Sequence, residues 1–105
     1  MSCVSVFPFD EAPIKDVNDL IVQRAARFVV EEINRRGKHH LIYKRVVNGL
    51  FYDLSGRCIV YILVIEAINE HCIPWSYIAR VEHFLRDDKF TFLSFKEVIE
   101  FPAPK

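Results

Sequence analysis

The side chains with the most chemical potential are four histidines and three cysteines, and their spacing decides what they could do. Metal binding needs imidazoles and thiolates converging on one ion, commonly through Cys-x-x-Cys spacing. Cys3, Cys58 and Cys72 are scattered instead, and adjacent His39 and His40 would point apart in an extended chain. His71 abuts Cys72, and His83 stands alone. A nucleophilic Cys72 would need His71 or His83 as a base, oriented by a third group in a cleft, and no local motif supplies that arrangement. These residues predict no metal, no cofactor and no enzyme. Three cysteines cannot all pair within the chain, so they read as reduced thiols.

Charge narrows the partners further. Fourteen basic residues balance fourteen acidic ones with no one-sided basic block, which excludes a phosphate-tracking surface for nucleic acid. The apolar run Cys58–Ile65 is eight residues long and ends at Glu66. A membrane-spanning helix needs about 20 residues, so no membrane partner is expected. Met1–Pro8 has no basic n-region, and with the odd cysteine count this favours the cytosol over a trimmed secreted chain. Both the apolar share of 51% and the length of 105 residues suit one globular domain with its own core.

Any site must be positioned by a small set of elements. Residues 1–15 contain Pro8 and Pro13 without a period and read as an extended arm. From Asp16 the pattern turns helical: Val22, Ala25, Ala26, Val29 and Ile33 form one apolar stripe, with Arg24, Arg27, Glu31 and Arg35 opposite. Asp16, Asn18 or Asp19 can cap the start and Gly37 can end the helix, predicting about 18 residues and about 27 Å. Arg27–Glu31 and Glu31–Arg35 have the spacing of helix-surface ion pairs. Leu41–Tyr52, Arg57–Ile68, Pro74–Arg86 and Phe90–Phe101 are rich in Val, Ile, Tyr and Phe and predict strands. Asp53–Gly56, Asn69–His71 and Asp87–Lys89 read as turns between them. With no second helix for crossovers, the sheet should be an antiparallel meander, bulged or kinked at Asn48-Gly49. The fold class is α+β: one long N-terminal helix on a curved sheet of four or five antiparallel strands.

Several segments resemble the plant cystatin family. Pro13–Asp19 resembles the entry into its helix, and Ala25–Asn34 its helix signature Leu-Ala-Arg-Phe-Ala-Val-x-Glu-x-Asn. Leu41-x-Tyr43-x-x-Val46-Val47 is similar to the following Leu-x-Phe-x-x-Val-Val strand, and Ser94–Phe101 to the closing Asn-Phe-Lys-Glu-Leu-x-x-Phe. The resemblance implies a single cystatin-like domain over residues 16–101 with a tail at 102–105. It also implies reversible inhibition of papain-like cysteine proteases by a wedge of arm and two hairpins. The corresponding positions are Phe9, Asp10, Glu11 and Ala12 in the arm, Tyr52, Asp53, Leu54, Ser55 and Gly56 in the first hairpin, and Thr91 and Phe92 in the second.

The tips depart from that family's pattern. The arm lacks glycine, the first hairpin reads Tyr-Asp-Leu-Ser-Gly rather than Gln-x-Val-x-Gly, and Thr91-Phe92 replaces Pro-Trp. Burying Asp53 unpaired in a protease cleft would cost about 1–3 kcal/mol or more. The departures imply weakened or retargeted inhibition, or a non-inhibitory module of the same fold that binds another protein. An opened first hairpin would also allow a domain-swapped dimer beside the monomer.

Overall fold

In a computed structural model, residues 11–54 and 56–98 are described. The elements are β1 (Ala12–Pro13), α1 (Leu20–Arg35), β2 (Ile42–Leu54), β3 (Cys58–Ile68), β4 (Pro74–Phe84) and β5 (Lys89–Glu97). The strands form one antiparallel sheet in chain order, β1-β2-β3-β4-β5.

The expectation of a cystatin-like α+β domain built on a long helix is corrected here. The helix is short, 16 residues, whereas β2 to β5 run for 13, 11, 11 and 9 residues, so the chain is mostly β. The physical reason lies in the residues before Leu20. Asp16 uses Oδ1 to accept from Asn18 N–H at 3.0 Å and its carbonyl to accept from Asp19 N–H at 3.1 Å, closing a turn. The helix starts only after Asp19, whose carboxylate accepts from Ile21 N–H at 3.3 Å. At the other end Gly37 adopts φ +82°, a left-handed conformation that stops propagation.

α1 lies on one face of the sheet. Its buried stripe, Val22, Ala25, Ala26, Val29, Val30 and Ile33, packs into a core with Leu63, Ile65, Ala67, Tyr77, Ala79 and Val81. Alanines on both sides let helix and sheet approach closely, and each fully buried Val, Leu or Ile contributes about 1.5–3 kcal/mol. The surface ion pairs differ from the spacing-based expectation. Arg35 and Arg36 both reach Glu32, at 2.6 and 3.1 Å, while Arg27 lies over the Tyr43 ring at 4.6 Å. Asn34 joins helix to sheet by pairing with both backbone groups of Leu41 at 2.8 Å.

Two features differ from the predicted kink at Asn48-Gly49. The register shifts fall between Tyr43 and Arg45 and between Val46 and Asn48, ahead of the glycine. Gly49 instead serves a close approach: a Cβ there would lie 2.7 Å from Ile62 O and 2.9 Å from Ile14 Cδ1. That space lets β1 dock, with Ile14 N–H donating to Gly49 O at 2.9 Å.

Candidate functional site

Antiparallel register places the β2–β3 turn, the β4–β5 turn and the start of α1 at one end of the molecule. At the first turn, Arg57 N–H donates to Leu54 O at 3.3 Å, and Gly56 takes φ +73°, which favours glycine. Asp53 Oδ1 accepts from Gly56 N–H at 2.8 Å. Asp53 therefore has a local role: its carboxylate builds the turn. Tyr52 lies on the opposite sheet face, where its hydroxyl accepts from Arg80 at 3.1 Å.

The second turn spans residues 85–88. Leu85 N–H donates to Arg57 O at 3.0 Å, so the two hairpin ends are bonded side by side. Leu85 is 44% exposed beside exposed Arg86 and Asp87. Behind the tip, Asp88 closes a network: its Oδ1 is 2.6 Å from Nε2 of buried His83, and Arg24 reaches both carboxylate oxygens at 3.3 and 3.2 Å. Phe90 stacks on His83 at 4.8 Å, with Arg24 over the ring at 5.3 Å. The His83 hydrogen bond, and then Arg24, hold the Asp88 carboxyl below its ordinary range. The network anchors the second hairpin to α1.

The residues singled out in the sequence are only partly brought together. Tyr52, Asp53, Leu54 and Gly56 occupy the first hairpin, Ala12 sits opposite Phe51 in the edge strand, and Glu11 is exposed before it. Phe9, Asp10 and Ser55 lie outside the described residues. Thr91 and Phe92 are within β5, opposite Glu82 and Val81, so neither reaches the tip. Phe92 is half-buried under the Arg36 guanidinium at 4.4 Å, an element of helix–sheet packing. Leu85 and Arg86 are not singled out in the sequence because the family resemblance places the second-hairpin motif at Thr91-Phe92. The turn signal Asp87-Asp88-Lys89 was the better guide to the tip.

No group of three or more His, Cys, Asp or Glu among the described residues is arranged to hold a metal ion. His39 contacts Phe95 edge-on and lies 3.8 Å from Glu70. Cys58 is buried and Cys72 is exposed. Among the described residues no helix is long and apolar enough to cross a membrane.

In this chain the sheet end is made of two bonded hairpins, and turn-forming and packing roles account for Asp53, His83 and Asp88. Residues 14–98 match the family model SQAPI, described as aspartic acid proteinase inhibitor, and the chain belongs to that family. No curated protein matches it significantly. The protein is accordingly a protease inhibitor with a protease as partner, and not an enzyme. The match also corrects the cystatin resemblance and its cysteine-protease assignment. The segments that carried that resemblance, such as Ala25–Asn34, are mainly packing residues, and packing patterns do not specify a target.

Proposed function

We propose that the protein reversibly inhibits an aspartic proteinase by docking its two bonded hairpins into the active-site cleft. The family match over residues 14–98 carries this reading. Charge at the tips supports it. Asp53 accepts from Gly56 N–H, and Asp88 pairs with His83 and Arg24; the other exposed charges at the tips are Arg57, Arg86, Asp87 and Lys89. An aspartic proteinase cleft holds two carboxylates sharing one proton, which attract a cationic tip. A papain-type cleft holds an imidazolium beside its thiolate, which repels one.

The contact residues in this reading are Leu54, Gly56 and Arg57 of the first hairpin, Leu85 and Arg86 of the second, and Glu11-Ala12 alongside. They belong to a single domain preceded by an N-terminal arm. Inhibition follows from shape: the hairpins displace water from the cleft while ladder hydrogen bonds hold their backbones away from the geometry of a scissile peptide.

Titration of a pepsin-type aspartic proteinase and a papain-type cysteine protease with sized monomer tests the reading. Competitive inhibition of the aspartic enzyme alone is expected. Reversing Arg57 and Arg86 to glutamate should weaken it, each by about two- to fivefold as for rim charges. Inhibition of the papain-type enzyme alone, or an unchanged constant on charge reversal, would sink it.

A further inference from the structure

A groove of about 590 Å³ runs between the C-terminal end of α1 and the middle of β5. Phe92 and Phe95, both partly buried, supply its aromatic lining, and Ile33 adds to it from the helix. The charged and imidazole groups on it are Arg36, Lys38 and His39. No carboxylate lines it, whereas the cleft beside β1 sets Lys15 against Asp16 and Asp19. Small-ligand sites of this size combine an apolar, aromatic lining with a few placed polar groups.

The donors around this groove are largely unspent. Arg36 uses only Nε, on Glu32 at 3.1 Å, and its guanidinium is held over the Phe92 ring at 4.4 Å. Its Nη atoms hydrogen-bond no described residue, and neither do the side chains of Lys38 and His39. His39 Nδ1 is buried without a partner. Lys38 and His39 follow Gly37, where the helix has stopped, and Arg35 already stands at the helix end to complement its carbonyls. The nearest acids are engaged elsewhere: Glu32 pairs with Arg35 and Arg36, and Glu70, 3.8 Å from His39, lines the neighbouring hollow. Donors without acceptors beside aromatic surface fit an anion that carries an apolar body.

We propose that this groove binds a small amphipathic carboxylate, an aromatic ring bearing one anionic group. The ring lies against Phe92 and Phe95, and the carboxylate accepts from the Nη atoms of Arg36 and from Lys38 Nζ. The site is separate from the hairpin end. Arg24 contacts that end through Asp88, and the helix rises about 18 Å from Arg24 to Arg36. The proposal therefore does not rest on the inhibitor reading.

The test is an amide NMR titration of the full chain with naphthoate. Saturable shifts at residues 36–39 and 92–95 are expected, with a dissociation constant of about 1 mM or tighter for a ligand of this size. Naphthol, which keeps the ring without the charge, and inorganic phosphate, which keeps charge without the ring, should each bind at least about tenfold more weakly. Lys38→Gln should weaken naphthoate about two- to fivefold. That variant should keep the wild-type thermal midpoint, because Lys38 is exposed and its side chain has no partner among the described residues. Failure to saturate at several times the expected concentration would overturn the proposal, as would shifts confined to the cleft beside β1. Naphthol binding as tightly as naphthoate would reduce the groove to an apolar patch, and phosphate doing so would reduce it to a cationic surface; either result overturns it. An unchanged constant in Lys38→Gln overturns the assigned carboxylate contact and the proposal with it.

Discussion

Replacing Gly49 by alanine should destabilise the domain by about 1–2 kcal/mol, against the usual benefit of removing a strand glycine. The added Cβ would lie 2.7 Å from Ile62 O, 2.9 Å from Ile14 Cδ1 and 3.1 Å from Leu63 Cδ2. The side-chain contacts can yield by rotation, but Ile62 O belongs to β3, paired on both sides in the sheet. Overpacking of this kind costs about 1–3 kcal/mol. Alanine lowers the freedom of the unfolded chain and offsets about 0.4–1 kcal/mol of that. The net change should lower the thermal midpoint by about 5–12 °C for a domain of this size. Urea unfolding should show a lower midpoint at unchanged slope. A cycle with Ile14→Val, which deletes only the Cδ1 atom, locates the strain. That substitution should cost about 0.5–1.5 kcal/mol in the wild type. It should cost less in Gly49→Ala, with partial rescue because the Ile62 contact remains. A Gly49→Ala protein as stable as wild type or more so would refute the close approach of β1 to β2.

Asn34→Ala removes both bonds to the Leu41 backbone, and because Leu41 is buried the stranded groups should cost about 1–3 kcal/mol in urea unfolding. The carboxyl of Asp88 has a lowered folded pKa, so its stabilising contribution is complete above the unfolded value of about 3.9 and is lost as pH falls through the folded one. Asp88→Asn should therefore shrink the stability difference between pH 5 and pH 2, and an unchanged difference would show that the His83–Asp88–Arg24 network does not hold the hairpin. Burial pushes the Cys58 thiol up, and the Glu82 and Asp53 charges add to this. Iodoacetamide mapped by peptide mass should modify exposed Cys72 in the native protein and reach Cys58 only after denaturation.

How much of the site was legible follows from which features are local. The first hairpin could be read because its chemistry is carried by neighbours: Asp53 and Gly56 make the turn within one segment. The second could not be placed from the Ser94–Phe101 resemblance, since β5 has a register shift where Arg80 and Val81 face Ser94 and Phe92. The resemblance assigns Phe92 to the second hairpin of the wedge, but the partner that buries it, Arg36, lies at the helix end and far away in sequence. The target class was misread for a related reason. The residues that gave the cystatin resemblance mostly satisfy helix and strand periodicity, and they constrain a core while saying little about a cleft.

Periodicity and local turn chemistry determined by themselves the buried stripe Val22–Ile33, the stop at Gly37 and the β-rich segments. These depend on side chains a few residues apart, whose geometry follows from the period of the backbone. The tertiary structure alone decided four things: the short helix, the docking of β1 over Gly49, the Leu85–Arg57 bond joining the hairpins, and the Asp88 clamp on Arg24 and His83. Three of these are contacts between distant segments, and the fourth, the late start of α1, is a competition between an Asp16 turn and another helical turn. Their energies depend on distances that exist only once helix and sheet have packed.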